Sequence, residues 1–333
     1  MNQHIQNIEI SNFKSIKDLK IDGCKKINIF AGKPNAGKSN ILEALAVFQY
    51  NTDDKIRLKF HVNNDLKEYD LNDIVRFNEI SDLFFDGNLN DHIKIRLDKN
   101  YTSFGFNNNS LQSLKSSLST STNKNGIFEY RPYIKKYSFN LKSTNISNIN
   151  LVSLSYPFGE NLGQIISSHS DLRKSVNKFF IENNLKLLIE KNTNEIKIFK
   201  EYQDGTVFIL PYNMIADTLQ RLIFYKAAMM SNYDSVLLFE EPEAHCFEPY
   251  ILEFTNEVKY NKNNNQFFMV THSDFIIQEF LRDEESRNNL QIYLVNNVDG
   301  KTEVKKLDVD KNDDVYEYGM NVFFNFDSLW ENN

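Results

Sequence analysis

The sequence predicts an α/β fold in which a mixed β-sheet with flanking helices is assembled from both ends of the chain and split by a β-rich and helical insertion. Three observations predict it. Ile27-Asn28-Ile29-Phe30-Ala31 is an apolar run of buried-strand type that passes through a glycine loop into Ile41, Leu45 and Phe48 at helical spacing. Val236-Leu237-Leu238-Phe239 and Phe267-Phe268-Met269-Val270 are further runs of the same kind, each ending in polar residues and followed by a helical pattern. Between these ends lie short strand-like pieces. The chain therefore divides into a core of residues 1–50 and 211–333 and an insertion of residues 51–210.

Taken in order, IEISNF and KDLKID read as two short strands, ahead of the glycine loop and its helix. DHIKIRL and IFEYRPYIKKYSFN are strand-like pieces interrupted by residues 107–126, a Ser/Asn tract without periodicity that is expected to be a mobile loop. LVSLSYPFGENLGQII and DLRKSVNKFFIENN suggest a strand, a turn and helices. LKLLIE, EIKIFK and TVFILP follow as a meander across the turns KNTN and YQDG. Helix and strand then alternate again: MIADTLQRLIFYKAAMMSN, PYILEFTNEVKY and FIIQEFLRDEE are helical, and QIYLVNN pairs with KTEVKKL across VDGK.

At 333 residues the chain holds about two domains of ~150 residues, or one core with a large insertion. Hydrophobic residues are 41% and charged residues 25%, which excludes a disordered or collagen-like chain. No apolar run approaches the ~18 residues of a transmembrane helix, and the first residues lack a signal peptide's apolar segment, so a cytoplasmic protein without membrane contact is expected. Cys24 and Cys246 are far apart and belong to no Cys/His cluster, which leaves neither a disulfide framework nor a structural zinc site. A net charge of −7 argues against coating nucleic acid through its phosphates. The charge is uneven: residues 1–60 carry 10 Lys and Arg against 6 Asp and Glu, whereas residues 231–333 carry 8 against 21.

Gly32-Lys33-Pro34-Asn35-Ala36-Gly37-Lys38-Ser39 matches GxxxxGKS/T in full, between a strand and a helix as a phosphate-binding loop requires. Glycines let backbone N–H groups turn toward phosphate oxygens, the helix N-terminus adds positive dipole, and Lys38 adds a mobile cation. Gly32, Lys33, Asn35, Ala36, Gly37, Lys38, Ser39 and Asn40 are thus the expected binding residues for ATP, with Ser39 also a ligand for Mg²⁺. Hydrolysis needs carboxylates beside that metal. Glu240-Glu241-Pro242-Glu243 supplies them at the C-terminal end of a strand, where ligands sit in open α/β sheets. Glu240 is expected in the metal shell, and Glu241 faces the attacking water as general base. A second buried strand, Phe267-Phe268-Met269-Val270, delivers Thr271-His272-Ser273-Asp274 to the same end, which gives His272 a γ-phosphate-sensing role. His245 reads equally as a subunit contact or a surface residue; His4, His61, His92 and His169 carry no neighbouring pattern.

Together with IEISNFKSIKDLKI, DLFFDGN, YPFGENL and IADTLQRLIFYKAA, the motifs FAGKPNAGKSNILEAL, LLFEEPEAH and VTHSDF make the chain resemble the ATP-binding-cassette (ABC) ATPases of the RecF, SMC and OLD type. More narrowly, it resembles the short bacterial AAA family ATPases of antiphage defence loci such as PARIS. The resemblance implies an ABC-type ATPase core with Lys38 as the Walker A lysine, Glu240 and Glu241 as the Walker B acids, and His272 as the switch histidine. Two departures stand out. The first Walker B acid is usually Asp, and Glu240 is one methylene longer. The signature segment normally contains Ser and Gly, whereas Ile215-Ala216-Asp217-Thr218-Leu219-Gln220-Arg221 has neither, leaving the Thr218 hydroxyl, the helix N-terminus and Arg221 to meet an anion. Gln49 lies too near the phosphate loop to serve as the family's Q-loop glutamine. With no long heptad stretch and no room for a Toprim nuclease domain after residue 275, the resemblance implies an ATPase component whose effector chemistry resides in a partner protein.

Three functional readings follow. In the first, an ABC-class switch ATPase forms a homo-oligomer, a dimer around Mg-ATP or larger, hydrolyses slowly, and controls a separate effector. The second is a RecF-like repair clamp that binds DNA through Lys14, Lys17, Lys20, Lys25 and Lys26 or through Lys135 and Lys136. A solvated strand face is the plainer reading of those lysines. The third makes ATP a structural ligand of a many-copy scaffold.

Overall fold

A computed structural model describes residues 4–48, 60–62, 65–67, 70–107, 110–116, 134–140, 152–181 and 184–332. β1 (Ile8–Phe13) and β2 (Ile16–Ile21) form a hairpin; β3 (Ile27–Gly32) runs into the glycine loop and α1 (Lys38–Val47) leaves it. A short hairpin, β4 (Phe60–Val62) and β5 (Asp65–Lys67), precedes β6 (Ile93–Leu97), β7 (Asn100–Asn107), β8 (Ser110–Ser116) and β9 (Ile134–Tyr137). Then come α2 (Leu162–Ser168), α3 (Ser170–Ile181) and the antiparallel meander β10 (Lys186–Ile189), β11 (Ile196–Glu201) and β12 (Val207–Pro211). The alternating part comprises α4 (Asp217–Ser231), β13 (Val236–Glu240), α5 (Glu248–Lys259), β14 (Gln266–Val270), α6 (Asp274–Arg282) and α7 (Glu284–Asn288). It is followed by the hairpin of β15 (Leu290–Val298) and β16 (Lys301–Lys306), then α8 (Val309–Glu317) and α9 (Phe326–Glu331).

The core sheet has the order β16-β15-β3-β14-β13-β9, parallel throughout except for β16. Its central strands are buried on both faces, which is why they read as largely apolar runs, with Asn28, Gln266 and Gln291 the buried polar residues among them. Residues two apart share a face. Ile27, Ile29, Leu237, Phe239, Phe267 and Met269 pack with α2 to α6, while Phe30, Leu238, Phe268 and Val270 pack with α1 and the antiparallel sheet β2-β1-β6-β7-β8. Phe239, Phe267 and Phe268 are fully buried. At roughly 1.5–3 kcal/mol of transfer free energy each, they hold the strand ends at fixed height.

Residues 51–210, expected as an insertion, are shared among several sheets, the core sheet included. β6 pairs with β1, Ile95 opposite Ile10, and so lengthens the N-terminal hairpin into five strands. β9 joins the core sheet beside β13, with Lys136 opposite Leu238. Such pairings join residues far apart in sequence and leave no local pattern. The loop expected over residues 107–126 is corrected in part: Ser110–Ser116 form β8 on β7, because Leu111 finds a buried place opposite Phe106. Residues 108, 109 and 117–126 lie outside the described residues, as does Gln49. The strand expected around Leu154 does not form. Asn161 takes the Ser155 N–H (2.7 Å) and donates to the Ser153 carbonyl (3.0 Å), engaging groups a ladder would use. Among the described residues no helix is long and apolar enough to cross a membrane.

Candidate functional site

Parallel register builds the site. Val270 of β14 pairs with both Phe30 of β3 and Glu240 of β13, so the loops after these three strands leave the sheet at one level.

The first loop needs glycine at two places. A Cβ at Gly32 would lie 2.1 Å from the Val295 carbonyl oxygen of β15; one at Gly37, where φ is +94°, would lie 1.9 Å from Thr302 Oγ1 of β16. Asn35 is also left-handed, at φ +59°. Gly37 leaves α1 without a side-chain cap and its first turn holds no acid, so that turn's N–H groups and dipole suit an anion. Lys38 is only 4% exposed and donates to the carbonyls of Gly32 (2.9 Å) and Lys33 (2.7 Å). Burial, offset in part by Glu241, lowers its pKa to about 8. A desolvated ammonium in this setting is strongly attracted to phosphate oxygens. Two of the expected binding side chains are engaged elsewhere. Asn40 Nδ2 donates to Ser15 Oγ (2.6 Å), which itself meets Thr302 Oγ1 (2.6 Å), and exposed Lys33 pairs with Asp327 of α9 (2.6 Å).

Glu240 ends β13 inside a cluster of cations. Arg76 Nη2 lies 2.9 Å from one carboxylate oxygen and Lys136 Nζ 3.3 Å from the other, and the Ser39 hydroxyl donates to the same group. Arg76 Nε (2.9 Å), Lys136 (3.8 Å) and Lys14 also converge on Glu43 of α1, whose side chain is 0% exposed. Burial alone would push the Glu240 carboxyl up, but Lys136, Ser39 and Arg76 outweigh it and hold it below the usual range. The same two glutamates raise the pKa of Arg76 against its own burial. Sequence reasoning missed Glu43, Arg76 and Lys136 as members of the site. One signal was available: Glu43 stands inside the apolar run ILEALAV, and a charge within a buried pattern demands a partner.

Glu241 turns out of the strand at φ +45°, its N–H bonded to the Val270 carbonyl (2.8 Å). One of its carboxylate oxygens lies 3.6 Å from His272 Nε2. His272 is fixed from two further sides: its N–H donates to Glu243 Oε1 (2.7 Å), and its ring lies against Phe323 with centroids 6.2 Å apart. Lys38, Glu240, Glu241 and His272 thus stand at one end of the sheet, Glu241 within electrostatic reach of Lys38 and beside His272.

Other expected contributors are engaged within the chain. The Thr218 hydroxyl donates to the carbonyl of His245 (2.8 Å), and Arg221 pairs with Asp217 (3.0 Å) and lies over Phe139. Of the lysines considered for DNA, Lys14 and Lys136 serve Glu43, Lys135 reaches Ser153 and Asn232, and Lys26 donates to the carbonyls of Lys259 and Asn261.

Residues 27–278 match the family described as "AAA domain, putative AbiEii toxin, Type IV TA system". The chain belongs to this AAA family. The matched span holds the glycine loop, both strand-end glutamates and His272, and stops before β15. An ATP/GTP phosphatase of Helicobacter pylori is 61% identical to this AAA protein over 41 residues, 12% of this chain and 11% of that one. An uncharacterised protein of Methanocaldococcus jannaschii is 57% identical over 44 residues, 13% of this chain and 20% of that one. The chain therefore covers at most a fifth of the length of these curated relatives. Among solved structures, the AAA protein is similar to an SMC head bound to the C-winged helix domain of ScpA (TM-score 0.52, 15% identity, 93% of this chain and 99% of that one). It is also similar to an Smc head with an extended coiled coil, bound to the C-terminal domain of ScpA derived from Pyrococcus furiosus (TM-score 0.53, 14% identity, 95% and 99%). At such identity the likeness concerns the fold, which is that of an ABC-type ATPase head.

Among the described residues no group of three or more His, Cys, Asp or Glu side chains is placed to hold a metal. Ser39 and Glu240 offer two hard oxygen donors side by side, which suits a Mg²⁺ that takes the rest of its shell from phosphate and water.

Proposed function

We propose that this AAA family member binds Mg-ATP at the ends of β3, β13 and β14, hydrolyses it slowly, and acts as a nucleotide-dependent switch for a separate effector protein in an antiphage system. The observation that carries the reading is the convergence of Lys38, Glu240, Glu241 and His272 from loops aligned by parallel register. Phosphoryl transfer asks mainly for positioning and charge stabilisation, and these residues offer both. Backbone N–H groups at the α1 N-terminus and the Lys38 ammonium bind the phosphates. Glu241, exposed and outside the cation cluster, takes the proton of the attacking water, and His272 orients Glu241 and senses the γ-phosphate. Ser39 and Glu240 would hold Mg²⁺, which would supply neutralisation of the phosphate charge.

The family's description, which refers to a type IV toxin–antitoxin system, supports a function exercised with a second protein. A homodimer closed around ATP is part of this reading, although the engagement of Thr218 and Arg221 within the chain removes two groups that could act across such an interface. E241Q should bind a fluorescent ATP analogue as wild type does and lose turnover; persistent turnover would reassign the base. Light scattering with and without ATP reads the assembly, and salt-sensitive, ATP-dependent DNA affinity would favour the clamp instead.

A further inference from the structure

Glu243 has no role in the chemistry above, yet the two chemical turns meet on it. Its Oε1 accepts the Thr271 hydroxyl (2.7 Å) and the His272 N–H (2.7 Å). Thr271 Oγ1 in turn accepts the Ser273 N–H (3.0 Å), and Ser273 Oγ accepts from Ile276 in the first turn of α6 (3.4 Å). On the other side, Ala244 N–H bonds the Glu241 carbonyl (2.9 Å) and Cys246 N–H bonds the Glu243 carbonyl (2.8 Å), so Glu241 and Glu243 belong to one rigid turn. One carboxylate oxygen therefore links the turn that carries Glu241 to the turn that carries His272.

We infer that Glu243 is a positioning residue that sets the distance between Glu241 and His272 by tying their two turns together. The consequence for turnover rests on the hydrolytic reading of Glu241; the tie itself does not. Two further features fit. Oε2 is buried and has no hydrogen-bond partner among the described residues, so the side chain is placed for what Oε1 does and not for solvation. Burial also pushes the Glu243 carboxyl up, against the Thr271 and His272 bonds, and Glu241 adds to the rise. An acid is kept in a costly place where an apolar residue would leave the His272 N–H unpaired.

The test uses the full chain and variants that separate the acceptor from the charge. E243A should lower kcat about 100-fold while KM for ATP stays within about threefold, because the spacing is disturbed and the glycine loop is not. E243Q keeps an acceptor oxygen at Oε1 and should recover kcat to within about threefold of wild type. T271V removes one of the two donors and should lower kcat by about tenfold. Without nucleotide, hydrogen exchange of a peptide spanning residues 271–274 should be faster in E243A and T271V than in wild type, and near wild type in E243Q. Unchanged exchange and kcat in E243A would overturn the inference, as would an E243A loss that E243Q fails to restore. If E243A does not fold, unchanged exchange and kcat in T271V overturn it equally. The exchange arm needs no hydrolysis, so full turnover in E241Q would sink the general-base reading and leave this arm standing.

Discussion

Glu240 and Glu241 are adjacent and chemically identical, yet they face different surroundings. Glu240 extends β13, is 22% exposed, and is gripped by Arg76, Lys136 and Ser39. Glu241, at φ +45°, is 49% exposed, with His272 Nε2 at 3.6 Å. Where the strand stops decides the difference. The last residue in extended conformation is delivered into a cation cluster that runs from buried Lys136 to exposed Arg76, and the next is rotated outward. Fixed cations hold the Glu240 carboxylate in place, whereas the Glu241 carboxylate stands open to solvent.

The largest expected effect that would break this contrast is in turnover. E241Q should lower kcat by about 10²–10⁴-fold, while its denaturation midpoint corresponds to a stability change within about 0.5 kcal/mol. On the buried side the expectation is reversed. E43Q removes the anion shared by Lys14, Arg76 and Lys136, and urea unfolding should show a loss of about 3–5 kcal/mol. A loss below about 1 kcal/mol would mean that the cations regroup freely on Glu240.

A pH series sharpens the comparison further. Lys38 titrates near 8 in the folded chain against an ordinary 10.5. Below pH 8 it is a cation and ATP affinity is full; above, affinity measured by calorimetry should fall roughly tenfold per pH unit. Stability moves the opposite way. Between about pH 8 and 10.5 the unfolded chain holds more protons than the folded one, so this group's contribution to stability rises with pH. E241Q removes the carboxylate that raises the Lys38 value and should move the binding midpoint to lower pH. The smallest effect is expected from D327A, which breaks the exposed pair with Lys33 and should change unfolding free energy by no more than about 1 kcal/mol.

The legible parts of the molecule were those where pattern and place coincide. Lys38, Glu240, Glu241 and His272 each follow an apolar run long enough to be a buried strand, and parallel pairing brings such strand ends together. Arg76 carries no such mark, since its partners Glu43 and Glu240 lie 33 and 164 positions away. Lys136 sits in a four-residue strand whose place beside β13 is fixed by pairing alone. Asn40 directly follows the phosphate-loop motif, yet Ser15 and Thr302, from opposite ends of the chain, decide where its carboxamide goes. Local composition also misled at β8, where one leucine in a Ser/Asn tract was enough to seat a strand on an existing sheet edge.

Gly37 packs against Thr302, Lys33 against Asp327, and the His272 ring against Phe323, and all three neighbours lie beyond residue 278, where the family match ends. A protein trimmed to the shared span would keep every motif letter and lose the brackets around them. Two relatives can therefore spell the same catalytic words and still run at different speeds, depending on tails that motif comparison never reads.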